Sequence, residues 1–408
     1  MIPRFGGPAL LVLLSGCAAM SSPAKSGTFG DDVEFLRKHV RDLLVLRAPD
    51  GAAQAAVAPS MQGRVMTSTA DGPGGSSYGW INYDLIASGR TEPHINCYGG
   101  EDRFWMGPEG GQFSIFFRKG VPFDFEHWFP PPCIDTEPFG LVTKADDRAR
   151  FRRRVRLTNY SGFAFDVEIE REVRLLSRED LWKHVGTAPV AGVKAVGFES
   201  ENRIANRGDV PWTKETGLLS IWILGMFKPS PATTVVIPFV PGPESRLGPV
   251  VNDAYFGKVP PDRLVVREGV LFFSGDGKHR SKIGIPPRRA RPVAGSYDAA
   301  HRVLTLVQFN PPTGPADYVN SMWEFQKDPF AGDVVNSYND GPVTPGGKQL
   351  GPFYELETSS PGAALKPGEA IVHLHRTIHL EGPEEALDPV ARATLGVGLQ
   401  EIKTALRR

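Results

Sequence analysis

Short apolar or alternating runs recur along most of the chain, with Gly, Pro, Asn and Asp between them. They lie at residues 55–59, 64–69, 113–117, 151–157, 163–175, 218–227, 233–240, 263–273, 303–309, 353–358 and 370–380. Many short runs punctuated by turn residues predict the strands of an all-β sandwich or barrel. No long helical stretches alternate with them, which argues against a doubly wound α/β fold. Helical spacing occurs near the two ends. Asp31 and Asp32 precede Val33, Leu36, Val40, Leu43 and Leu44, a short helix with acidic residues at its start. From Pro383 to Leu406, the residues Leu387, Val390, Leu395, Leu399, Ile402 and Leu406 fall on one helical face. Composition does not break between Ala53 and Leu380, so residues 31–408 read as one domain without a tandem repeat.

The first residues follow another pattern. Arg4 stands ahead of an apolar run over Ala9–Leu14, which closes on Ser15, Gly16 and Cys17. That order is the layout of a bacterial secretion signal, too short to span a bilayer as a mature helix. Leu-Ser-Gly-Cys resembles a lipobox, which implies a signal peptide over 1–16, cleavage before Cys17 and lipid attachment to Cys17. Residues 17–30 are small and polar and read as a flexible tether. Ala18 and Ala19, with no aspartate after the cysteine, resemble an outer-membrane address. The expected location is the cell envelope, lipid-anchored, facing the periplasm or the cell surface.

Charge narrows the partners. With 46 basic and 46 acidic residues there is no field to hold nucleic acid. The 45 glycines and 37 prolines fit a turn-rich β protein rather than disorder, because aromatics reach 10%. Beyond Cys17 only Cys97 and Cys133 remain, and an oxidising compartment permits a disulfide between them. Arg152-Arg153-Arg154 and Arg288-Arg289 read as solvated faces. There is no Ser-His-Asp motif, phosphate-cradling loop or nucleotide fingerprint, so no cofactor is expected.

Three groups of residues carry candidate chemistry. In the stretch 101–112, Arg103, Glu109 and Gln112 offer planar hydrogen-bonding groups for sugar hydroxyls, and Trp105 offers an aromatic face. Glu324, Asn336, Tyr338, Asn339 and Asp340 form a second polar set able to line a cleft, and Asn-Asp-Gly is also a turn signal. Calcium ligation by Glu324, Asp333 and Asp340 lacks any EF-hand spacing. His373, His375 and His379 share one strand face, with neighbours about 7 Å apart. Glu355 and Glu357 would lie beside them if their strands pair. Such a patch suits proton transfer. Zinc would need a third ligand, so no metal is expected.

Three segments together resemble the galactose mutarotase-like superfamily. They are Val57–Val65 with its glycine turn, Asn96-Cys97-Tyr98-Gly99-Gly100 followed by Trp105, and Leu356-Glu357-Thr358 before Leu365-Lys366-Pro367-Gly368-Glu369 and a last strand. The stretches 80–82, 98–117, 159–162 and 332–341 are similar to the DUF6786 family of bacterial proteins within that superfamily. The resemblance implies a β-supersandwich with short N-terminal and C-terminal helices. It also implies that Glu357 matches the superfamily's basic glutamate. Tyr98 stands where that pattern has a histidine, and the second histidine has no clear counterpart, His184 being the nearest. The expected function is an envelope lipoprotein that binds or processes carbohydrate in the concave cleft of the sheet. Arg103, Trp105 and Glu109 would hold the sugar, Glu357 would act as base, and His373 or His375 as acid. The alternatives are an aldose 1-epimerase-like isomerase, a glycosidase or polysaccharide lyase, and a non-catalytic protein-interaction module.

Overall fold

The computed structural model describes residues 27–406 apart from Pro315 and Pro345. The signal peptide, Cys17 and most of the tether lie outside the described residues. Two antiparallel sheets pack face to face, as the alternating runs predict. One has ten strands and the other five, and a three-stranded sheet flanks them. Among the described residues no helix is long and apolar enough to cross a membrane.

The ten-stranded sheet shows how alternation sets its two faces. Strand Ala164–Leu175 alternates strictly between buried and half-buried positions. Phe165, Val167, Ile169 and Val173 point inward. On the outer face the neighbouring strand Arg148–Thr158 sets Arg150, Arg152 and Arg156 opposite Glu172, Glu170 and Asp166. Arg152 meets Glu168 and Glu170 at 3.3 and 3.2 Å, and Arg156 meets Asp166 at 3.4 Å. The arginine run is therefore a solvated face, as expected, and its charge is answered across the strand. Arg289 departs from that expectation. It is buried, and its guanidinium donates to the carbonyls of Val240, Gly242 and Gly248, stapling a loop.

Elsewhere the outer face is covered. Helices Arg178–Val185, Glu384–Leu395 and Leu399–Thr404 bury Leu181, Leu387, Val390 and Ile402 against Leu304, Leu306, Ile378 and Leu380. The expected C-terminal helix is thus two helices, because Gly396 takes a left-handed φ of 77° and ends the first. The N-terminal helix runs Phe29–His39, capped by Thr28 and Asp31, so Phe29 and Gly30, read from sequence as tether, belong to the helix.

Two strand readings change. Residues 113–117 form turns, with Phe116 and Phe117 buried beneath the end of the five-stranded sheet. Residues 263–273 form a hairpin, Leu264–Arg267 and Val270–Ser274, turning at Gly269 with φ 76°. Cys97 and Cys133 are both buried free thiols, and no disulfide joins them.

Candidate functional site

The five-stranded sheet runs in the order Ser281–Ile285, Val335–Asn339, Tyr354–Ser359, Ser220–Phe227 and Arg103–Gly107. Its inner face carries Phe104, Ile221, Ile223, Leu356, Val335 and Ile283 into the core. The period of two therefore turns Arg103, Trp105, Trp222, Glu355, Glu357, Asn336, Tyr338 and Lys282 to the opposite face. The register joins them into one patch: Arg103 pairs with Leu224, Glu357 with Leu224 and Asn336, and Tyr338 with Glu355 and Lys282. Gly99, at φ 93°, feeds the chain into this patch. A Cβ there would sit 2.1 Å from the Trp80 carbonyl oxygen, so the Gly-Gly pair of the sequence motif is sterically required.

Above the patch is a cleft of about 650 Å³. Its polar wall includes Glu109, Lys282, Asp333, Asn336, Tyr338 and Asp340, and its rings include Trp222, Trp323, Tyr255, Phe256 and, at the mouth, Phe125. Most polar groups are paired in ways that fix their rotamers. Tyr255 donates its hydroxyl to Asp333 at 2.5 Å, Tyr338 to Asp340 at 2.7 Å, and the Trp323 indole N–H to Glu109 at 3.1 Å. Asn336 donates to the Ile283 carbonyl at 3.2 Å. Burial raises the pKa of Glu109, of Asp340 and of Asp333, the last to about 6.

Glu357 lies under this floor and is wholly buried. Its Oε2 accepts from the Trp222 indole N–H at 2.9 Å and from the Lys282 ammonium at 3.0 Å, while Oε1 has no partner. The Lys282 ammonium also lies 4.6 Å from the centre of the Trp222 ring. Burial works against the charge on Lys282, but Glu357, Glu109 and Glu355 outweigh it and raise its pKa. Burial, and then the neighbouring Glu357 carboxylate, push Glu355 up to about 8 even though Arg103 contacts it at 3.2 Å.

The sequence candidates separate on this geometry. Glu109, Asn336 and Asp340 reach the cleft, and Arg103, Trp105 and Glu357 lie on the same sheet face below or beside it. The Arg103 guanidinium stacks 4.3 Å from Trp105, whose ring is shut between Phe116, Trp128 and Trp222. Trp105 is therefore a wall of the core and offers no open face. The Gln112 side-chain amide donates to the Gln326 carbonyl and accepts from the Gln326 N–H, holding two loops together. Glu324 is exposed and lines no part of the cleft. Asn339 points to the other side of the sheet, where it holds Gly277 and the His279 carbonyl. Among the described residues no three His, Cys, Asp or Glu side chains gather as a metal site.

His373 and His375 do not meet Glu357. Their strand, Ala370–Glu381, belongs to the ten-stranded sheet and pairs with Val303–Phe309 and Lys194–Asn206, not with the glutamate strand. Both imidazoles bond the Thr358 hydroxyl at 2.8 Å, from inside the sandwich. Thr358 follows Glu357, so the two side chains leave opposite faces of the strand. Burial holds His373 down to about 3 and His375 down to about 4, so both are neutral. Unfolded imidazoles protonate below about 6.5. The unfolded chain therefore binds more protons between that pH and about 4, and stability is lost as pH falls through this window. The slope is up to roughly 1.4 kcal/mol per pH unit for each histidine. His375→Gln should flatten the decline in urea midpoint between pH 6.5 and 4; an unchanged slope would show that the native imidazole titrates normally.

Sequence reasoning missed Trp222, Lys282, Tyr255 and Trp323. Trp222 sits in the unbroken apolar run Ile221–Leu224, and Lys282 in the five-residue strand Ser281–Ile285, whose only apolar side chains are Ile283 and Ile285, too short a pattern to flag it.

The model of DUF6786, a family of unknown function, matches residues 27–406. The chain belongs to the DUF6786 family. This member's trace is similar to that of a candidate aldose 1-epimerase from Escherichia coli K12, at 12% identity and TM-score 0.49 over 84% of this chain and 99% of that one. It is also similar to a galactose mutarotase-like protein from Lactobacillus casei ATCC 334, at 12% identity and TM-score 0.46 over 83% and 100%. No curated protein matches the sequence.

Proposed function

We propose that the protein binds a carbohydrate in the cleft of the five-stranded sheet, and that lipid on Cys17 holds it in the cell envelope. One observation carries the first half. Fixed hydrogen-bonding groups (Glu109, Asn336, the Tyr255–Asp333 and Tyr338–Asp340 pairs) alternate with the rings of Trp222, Trp323 and Phe256 around a cavity of about 650 Å³. Sugars need both kinds of surface, hydroxyl partners and an aromatic face for their C–H side. The sequence resemblance to galactose mutarotases points to the same ligand class. The second half rests on the order of charge, apolar run, small residues and cysteine before residue 18.

The reading is of binding, not chemistry. A base must reach the proton it removes, and Glu357 is covered by Lys282 and Trp222. Among the described residues no histidine lines the cleft. The test is thermal unfolding of residues 18–408 against mono- and oligosaccharides. A ligand that binds only the native state raises the transition by mass action. At least one sugar is expected to raise it, and Asn336→Ala should weaken that effect about tenfold, the loss of roughly one good hydrogen bond. A broad panel without any shift would refute the reading. Catalysed mutarotation that disappears in Glu357→Gln would replace binding with epimerase chemistry. Labelled fatty acid on the full-length chain, absent from Cys17→Ser, tests the anchor.

A further inference from the structure

Four of the large apolar side chains that the fold leaves exposed converge on the mouth of this cleft. They are Phe125 (54% exposed), Phe256 (43%), Val343 (69%) and Leu350 (42%). They arrive from three separate segments: the turn Phe125–His127, the loop before strand Leu264–Arg267, and the connection between strands Val335–Asn339 and Tyr354–Ser359. A single exposed apolar residue means little, but a contiguous patch marks a contact surface. Here the patch is a ring around a hole rather than a plane. Below the ring the wall turns polar, through Trp222 to Lys282, Asn336 and Asp333.

The occupant must answer both zones. A bare sugar would satisfy the floor and leave the ring in water. A flat protein surface would cover the ring and leave the cavity of about 650 Å³ beneath it unfilled, forfeiting the contacts of its walls. We infer that the cleft takes a glycoside with an apolar aglycone, its sugar on the floor and its aglycone against Phe125, Phe256, Val343 and Leu350. The inference rests on the carbohydrate reading above.

The experiment compares matched methyl and octyl β-glycosides of glucose, galactose and N-acetylglucosamine by calorimetric titration of residues 18–408. Octyl compounds stay below their critical micelle concentrations, and 1-octanol serves as the sugar-free control. Octyl glycosides of at least one sugar are expected to bind tenfold or more tightly than the methyl glycoside. The Phe125→Ala/Leu350→Ala double variant, at two mouth residues outside the sugar floor, should lose that gain while keeping its affinity for the methyl compound. Equal affinity for methyl and octyl glycosides would overturn the aglycone inference and leave the sugar reading intact. Octanol binding as tightly as the octyl glycosides, or no glycoside binding at all, would overturn both.

Discussion

Arg171→Leu is expected to lower the unfolding free energy by about 3–5 kcal/mol, the usual consequence of stripping a buried ion pair of one partner. Arg171 lies on the inner face of the strand Ala164–Leu175, between the apolar Ile169 and Val173. It contacts Asp102 at 2.6 Å, and neither side chain has any exposed surface. Its other nitrogens donate to Asn202 Oδ1 at 2.5 Å and to the Gly63 carbonyl at 3.1 Å. One guanidinium therefore ties the ten-stranded sheet to the turn before strand Arg64–Thr69 and to the residue that leads into strand Arg103–Gly107. Leucine would fill much of the volume but leave the Asp102 carboxylate in the sandwich with no cation. Oδ2 of Asp102 already lacks a partner, so no second contact compensates. Adding Asp102→Asn to Arg171→Leu should restore part of the loss, since the remaining group is then neutral. Urea unfolding with linear extrapolation measures both. A loss below about 1 kcal/mol for Arg171→Leu would mean that water enters the sandwich and solvates Asp102.

The strands that sequence located best are those with one face in water or one face in the core. Ala164–Leu175 and Ala370–Glu381 alternate, and the period of two is visible without any structure. Strands Val335–Asn339 and Arg103–Gly107 are buried on both sides, the second face being covered by the cleft loops and the aromatic roof, so alternation is erased. That same erasure hid the site. Residues 355 and 357 were recognisable as two carboxylates on one face, and that face is the cleft side. What parity could not tell was which strands are neighbours. His373 and His375 have the matching spacing, but a strand's partner is set by long-range topology. The chain places them in the other sheet, with Thr358 between them and the glutamates' face. The Gly-Gly and Leu-Glu-Thr motifs are legible as short local patterns, and they mark a positive φ at Gly99 and, at Glu357, the middle strand of the patch.

Lys282→Met tests the floor of the cleft, and it should cost about 3–5 kcal/mol at pH 9 for the same reason that Arg171→Leu does. The wild-type floor holds Glu355 and Glu357, on the middle strand, between Arg103 and Lys282 on the two edge strands of the sheet. Methionine keeps the stem packed against Trp222 but removes the ammonium. Glu357 then retains the Trp222 indole N–H and the neighbouring Glu355 carboxyl, with no cation in contact. The cost depends on pH through Glu355. Its native pKa of about 8 exceeds the unfolded value near 4.3, so the folded state holds the extra proton between them. The stability this proton carries is complete at low pH and lost as pH rises through about 8. Lys282 helps to hold that pKa down, so Lys282→Met raises it; above about pH 8 the variant must either keep a proton that the wild type releases or ionise both carboxylates with Arg103 alone to offset them. The difference between wild type and Lys282→Met should therefore widen from pH 5 to pH 9. Glu357→Gln added to Lys282→Met removes the stranded charge and should recover most of the loss, giving a coupling energy of at least about 1 kcal/mol in a double-mutant cycle. Additive single effects, or a pH-independent penalty, would mean that Lys282 acts at the cleft surface through solvent and does not neutralise the glutamates beneath it.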